Sequence, residues 1–173
     1  MEAVENILKR RSIRKYTDKK IDADTMHKLL ECGMAGPTCV NARDWAFIAV
    51  DDKDFLAKLA ECNGRPAGML PDAAAAIIVC GDLSRAFPRA KDYWIIDASI
   101  ATQNIVLAAN AMGIGAVWLG TYPQMERVER IEKLFELPED IVPLAVIALG
   151  YPDEVKDDDK ITYEESRVHF NKW

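Results

Sequence analysis

The chain has 173 residues, half of them apolar, which is enough for one domain with a buried core. A formal net charge of −6 argues against broad nucleic-acid binding, and four widely spaced cysteines with two histidines offer no metal-ligand spacing. The longest apolar stretch, 95–112, contains Asp97, Gln103, Asn104 and Asn110, and Met1 opens onto a charged amphipathic pattern, so neither a membrane span nor a signal peptide is expected.

Residues 3–11 predict a short helix with Val4, Ile7 and Leu8 on one face. A basic loop follows: residues 1–20 hold seven Lys/Arg against three acidic residues, a local +4 that leaves −10 for the rest. Residues 22–36 predict a second helix, with Asp22 as N-cap, Met26, Leu29 and Leu30 as its apolar face, and Gly33 and Gly36 stopping it. A strand is expected at 45–50, a helix at 54–62, and a buried strand at 73–80 centred on Ile77, Ile78 and Val79. Residues 93–112 read as a long helix that is apolar nearly all round. Such a helix needs burial on every side, and a small chain struggles to surround it, so a dimer interface is expected. A strand at 115–119, an exposed helix at 125–135, a turn at 137–139 and a buried strand at 142–149 complete the pattern. The tail 153–173 is polar but holds Tyr163, Phe170 and Trp173, which points to docking, and its acidic run 157–159 reads as a solvated loop without calcium-loop spacing. Two helices precede the first strand and no Gly-rich turn joins a strand to a helix, so α+β fits better than α/β, in a single domain 1–173.

Three segments offer binding chemistry. Arg10, Arg11, Ser12 and Arg14 place three guanidiniums and a hydroxyl at the end of the first helix, where forked donors match phosphate oxygens; a basic helix end complementing the helix dipole is the competing explanation. The loop 36–45 presents Pro37, Thr38, Cys39 and Asn41, small polar groups suited to a ligand, or an ordinary turn. Ser166 and Arg167 in the tail give a further cation, which alone reads as a solvated charge. Gly113-Ile114-Gly115 leads into a strand rather than a helix, so it is no dinucleotide fingerprint, and Gly113 reads as a helix cap. No nucleophile with an adjacent base is visible, and neither His27 nor His169 has the neighbours of a triad. The four cysteines read as free thiols of a reducing, cytoplasmic compartment.

Taken in order, the Arg-Arg-Ser-Ile-Arg segment, the Gly-Pro-Thr-Cys-Val-Asn loop, the helix motif 97–104, the Val117-Trp118-Leu119-Gly120 strand end, Gly150-Tyr151-Pro152 and Ser166-Arg167 resemble the FMN-dependent nitroreductase family along the whole chain. The resemblance implies an α+β fold with a mixed, largely antiparallel sheet flanked by helices, in an intertwined homodimer with FMN at the interface. It implies that Arg10, Ser12 and Arg167, with Arg11 beside them, hold the phosphate. Arg14 would lie near the flavin pyrimidine edge, Pro37, Thr38, Cys39 and Asn41 would reach the flavin from the other subunit, and Trp118, Leu119 and Gly120 would line its face or N5 side. The expected activity is electron transfer from NAD(P)H to a small flat acceptor such as a nitroaromatic or quinone, ping-pong through one flavin. Dehydrogenation, another electron donor, or a flavin-binding redox sensor are the alternatives. Three departures stand out: residues 83–91 replace a larger helical insertion, Cys39 stands where the family usually has Ser, and no clear lysine precedes the second strand to back up Arg14, with only Arg65 in that region.

Overall fold

The computed structural model describes residues 2–156 and 163–173, so the predicted acidic loop at 157–159 lies outside the described residues. The elements run α1 (Ala3–Lys9), α2 (Ala23–Met34), β1 (Trp45–Val50), α3 (Lys53–Asn63), β2 (Ala75–Asp82), α4 (Tyr93–Ala111), β3 (Gly115–Gly120), α5 (Met125–Phe135) and β4 (Ile141–Gly150). The four strands form one antiparallel sheet in the order β1-β2-β4-β3. A parallel bridge between Ser12 and Ala116 adds the basic segment to the β3 edge, so the sheet is largely antiparallel with a parallel margin. No helix among the described residues is long and apolar enough to cross a membrane.

The sheet is apolar on both faces because it has a helical layer on each. On β2, Ile78 and Cys80 face Leu56 and Leu59 of α3 and Ile131 of α5, while Ile77 and Val79 face Leu29 of α2 and the α4 residues Ala98, Ala101 and Ile105. This is the period-2 alternation of a strand buried on both sides, and it explains why 73–80 reads as a continuous apolar run. The register shifts between Val79 and Cys80, where Cys80 pairs with Pro143. Proline lacks the ladder N–H, so a central strand tolerates it at such a bulge. The displaced Leu144 carbonyl accepts hydrogen bonds from the Thr121 and Tyr122 N–H groups at 3.0 Å each, which fixes where the chain leaves β3.

Capping sets the helix starts. The Asp22 carboxylate accepts from the Thr25 N–H at 2.7 Å, as expected, and Asp52 caps α3 by accepting from the Asp54 and Phe55 N–H groups. Gly113, at φ 73°, follows the end of α4 as expected of a left-handed cap. Gly33 departs from expectation. It lies within the last turn of α2 rather than beyond it, buried where α2 crosses α4: a Cβ on Gly33 would sit 2.9 Å from the Ile105 side chain. Gly33→Val is therefore expected to destabilise the fold by about 2 kcal/mol, the cost of overpacking a tight helix crossing. Urea denaturation followed by far-UV circular dichroism measures this, and an unchanged midpoint would show that α2 can shift without penalty.

The apolar face of α1 also departs from its usual role. The side of α1 turned to the protein is polar: Asn6 Nδ2 donates to the Leu107 carbonyl at 2.9 Å and Asn6 Oδ1 accepts from Asn110 Nδ2 at 2.6 Å. Val4, Ile7 and Leu8 consequently point outward, with Ile7 55% exposed. On α4 the buried side is covered as expected, but Ile96 remains 52% exposed. The apolar helix is thus covered by its own chain over most of its surface, with Tyr93 and Ile96 left exposed.

Candidate cofactor site at the β3 edge

The basic segment leaves the C-terminus of α1 and lies along β3. The Ile13 N–H donates to the Ala116 carbonyl at 3.0 Å, and the Thr17 N–H donates to the Tyr151 carbonyl at 2.9 Å. Ile13 and Tyr16 are buried, which turns Ser12 and Arg14 the other way. Close approach is possible because Gly115 and Gly150 lack side chains: a Cβ on either would fall within 3 Å of Ile13 or Tyr16.

The four predicted residues here differ in their surroundings. Arg10 is half-buried at the α1 C-cap, and burial together with the adjacent Arg11 charge lowers its pKa. A bound anion would relieve that crowding of like charge. Arg11 folds back, its Nη1 donating to the Leu8 and Arg10 carbonyls at 3.0 and 3.1 Å, so the helix-end explanation describes it well. Ser12 is half-buried at the bridge to Ala116. Arg14 is exposed at its side chain, while its backbone N–H donates to Glu154 Oε1 at 2.6 Å.

Two residues here were not anticipated. Glu154 also accepts from the Lys15 N–H, and the Arg14 N–H bond, then the Lys156 charge and the Lys15 N–H, hold its carboxyl below the usual range. Lys156 Nζ donates to the Ser12 carbonyl at 2.9 Å and lies 3.8 Å from Glu154. The segment after Tyr151-Pro152 thus places a cation beside Ser12, a position the sequence reading did not anticipate. Only the return of the chain along residues 12–16 reveals it.

On β3 the alternation sorts the predicted trio. Trp118 is 37% exposed and Gly120 opens onto free space, while the Leu119 side chain is buried in the core with Ile131. Leu119 can thus offer only its backbone outward. The Gly120 carbonyl accepts from Arg127 Nη1 at 2.9 Å. Arg167 lies on the exposed turn Glu165–Arg167 and pairs with Glu164 rather than with the basic segment.

Pro37, Thr38, Cys39 and Asn41 sit elsewhere, in the loop leading to β1 at the opposite sheet edge. Val40, Asn41 and Arg43 all have positive φ there, at 47°, 57° and 53°. The Arg43 N–H donates to Thr38 Oγ1 at 3.0 Å, and the Cys39 N–H donates to Asp97 Oδ2 at 2.9 Å. Burial, then the negative charges of Asp97 and Asp44, push the Cys39 thiol up, which keeps it protonated. Asp97 and its neighbour Asp44 are buried acids that sequence reading did not single out. Fifty-odd residues separate them along the chain, so no local pattern announces the pair.

An α+β chain with one antiparallel sheet between two helical layers, and with arginines and an exposed indole gathered at one sheet edge, is the class that fold and site define. The nitroreductase family profile matches residues 7–65 and 63–151, and the chain belongs to that family. A relative from Methanothermobacter thermautotrophicus, named "Putative NADH dehydrogenase/NAD(P)H nitroreductase", is 43% identical over 173 residues, covering 100% of this chain and 88% of its own. A crystal structure of a protein with the same name from Parabacteroides distasonis superimposes with a TM-score of 0.91 at 40% identity, over 99% of this chain and 98% of that one. An FMN-dependent nitroreductase from Clostridium difficile superimposes with a TM-score of 0.86 at 31% identity, over 98% and 99% of the two chains.

Proposed function

We propose that this chain is an FMN-dependent oxidoreductase that passes electrons from NAD(P)H to a small flat acceptor such as a nitroaromatic or quinone. The observation that carries this reading is the basic segment hydrogen-bonded along β3, the strand that also presents exposed Trp118 and open Gly120. The donor set suits FMN: guanidiniums and a hydroxyl for a phosphate monoester, and an aromatic with a side-chain-free position for a flat ring. The names of the relatives support the same cofactor and electron donor.

In this reading Arg10, Ser12 and Arg167 hold the phosphate, with Arg11 completing the basic turn. Arg14 faces the ring edge that gains negative charge on reduction. Trp118, the Leu119 backbone and Gly120 bound the ring on one side, and Pro37, Thr38, Cys39 and Asn41 of a second copy bound it on the other. Bound FMN supplies the hydride chemistry, so the protein needs no acid–base dyad at the acceptor. Nicotinamide and acceptor would use the pocket beside Trp118 and Gly120 in turn, which would give ping-pong kinetics. The chain acts as one domain, with its tail docked on the partner. Free thiols at Cys32, Cys39, Cys62 and Cys80 support a cytoplasmic setting.

The test is cofactor extraction and chromatography of the purified protein loaded with excess FMN, followed by anaerobic stopped-flow bleaching with NADH and NADPH. One FMN per chain and fast bleaching by either nicotinamide are expected; recovery of FAD, or of no flavin from folded protein, overturns the assignment. Because the Cys39 thiol is held protonated, Cys39→Ser is expected to keep turnover within about tenfold of the parent. Steady-state nitroreductase assays measure this, and a loss beyond about a hundredfold, roughly 2.7 kcal/mol of barrier, would reveal a role for the thiol.

A further inference from the structure

Asp44, at the start of β1, is fully buried, and neither of its carboxyl oxygens has a hydrogen-bond donor among the described residues. Asp97 of α4 is almost as buried, and its Oδ2 accepts from the Cys39 N–H. The two carboxyls lie within hydrogen-bonding reach of each other. Ionised carboxylates only accept, so two buried side by side repel and leave lone pairs unsatisfied. One proton between them removes both faults. Protonated Asp44 donates to Asp97, whose Oδ2 still accepts from the Cys39 N–H.

The position of the pair gives it a task. It grips the loop near its start, through the Cys39 N–H, and at its end, through Asp44 itself. Between these grips lie three non-glycine residues with left-handed backbone, one of them the β-branched Val40. Such conformations are costly and persist only where the surroundings hold them. We propose that Asp44 and Asp97 are a positioning pair, whose single shared proton clamps the strained loop 37–43 and so governs its grip on the cofactor. The second half of this statement rests on the reading of the loop as part of the FMN site.

The groups around the pair set its pH range. Asp82 from β2 adds negative charge, the Cys39 thiol faces the pair from the loop, and the Arg43 guanidinium is drawn over the Trp45 ring at 5.4 Å. Arg43, Asp82 and Arg85 line a neighbouring cavity. Burial first, then the hydrogen bond with Asp97 and its charge, push the Asp44 carboxyl up to about 6 from 3.8. A carboxyl raised in the folded state contributes stability that is complete below its unfolded value and is lost as pH rises through the folded one. The clamp is therefore tightest in acid, loosens as pH rises toward about 6, and has little left to lose above that.

Amide hydrogen exchange of residues 38–43 in the FMN-free protein, corrected for intrinsic rates, reads the clamp directly. FMN affinity, followed by fluorescence, reads its consequence. Both are measured from pH 5 to 8 on the parent and on Asp44→Asn, whose amide donates to Asp97 at every pH. Protection in the parent is expected to fall about tenfold over this range, as for a group titrating within it. Asp44→Asn should hold the low-pH value throughout. FMN affinity, taken as the ratio of parent to Asp44→Asn to cancel the titration of FMN itself, should fall in parallel. A pH-independent parent, or an Asp44→Asn protein with the parent's slope, overturns the pair. If Asp44→Asn fails to fold, the parent profile alone decides. If protection follows pH but the affinity ratio does not, the clamp stands, and the assignment of this loop to the FMN site is overturned instead.

Discussion

Ile7→Glu combined with Ile96→Glu is expected to yield a folded monomer whose FMN affinity has dropped more than a hundredfold, about 2.7 kcal/mol. Both side chains are more than half exposed in the single chain, so the substitutions leave the core intact. They sit on surfaces that are apolar without a covering element: the outward face of α1 and the exposed side of α4. The Asn6 contacts to Leu107 and Asn110 join these two helices. A carboxylate placed there is solvated in the monomer and would be stranded in the proposed dimer interface, so it acts against association alone. Flavin binding should fail with the dimer because the two proposed halves of the site occupy opposite sheet edges in one chain. The basic segment lies along the outer edge of β3 and the 37–43 loop leads into β1, four strand spacings or roughly 19 Å away. Light scattering and circular dichroism establish the monomer, and fluorescence titration gives the affinity. A variant that stays dimeric, or a monomer that binds FMN as the parent does, would place the interface elsewhere.

The same two residues show where sequence reading stopped. Period 3.6 put Val4, Ile7 and Leu8 on one face, and the structure keeps them together. Periodicity does not say which way a face looks, and the partners of Asn6 turned this one outward. Strand 45–50 and helix 125–135 were legible to the residue, because alternation and amphipathicity there have a single consistent solution. Gly33 was not, since a glycine near a helix end and a glycine at a helix crossing look alike in one dimension. The candidate site divides the same way. Arg10, Ser12 and Arg14 announce themselves by proximity in sequence, whereas Lys156 reaches Ser12, and Asp97 reaches the Cys39 N–H, only through the folded chain. Leu119 was read as part of a contiguous strand end, and pleating sends its side chain to the core.

Arg10→Gln is expected to weaken FMN ten- to hundredfold in both redox states, while Arg14→Gln lowers the midpoint potential of the bound flavin. The phosphate assigned to Arg10 keeps its charge through turnover, so its contact contributes equally to the oxidised and reduced complexes. A charge-assisted hydrogen bond of this kind is worth about 1.5–3 kcal/mol. The half-buried position of Arg10 beside Arg11 favours the upper part of that range, because a phosphate there also offsets the repulsion between the two cations. Saturating FMN should restore most of the rate. Arg14 differs in kind. Its side chain is exposed and donates from Nη1 to the Ser12 carbonyl at 3.4 Å while Glu154 holds its backbone, and its proposed neighbour is a ring edge that becomes negative only on reduction. Removing that guanidinium disfavours the reduced state selectively, which excess FMN does not repair. FMN affinity and midpoint potential, measured on both variants, separate the two roles. A potential shift in Arg10→Gln without one in Arg14→Gln would reverse the assignments. No change in either property would leave the basic segment as a helix end whose charges serve only the α1 dipole, the role that the Arg11 contacts to Leu8 and Arg10 already display.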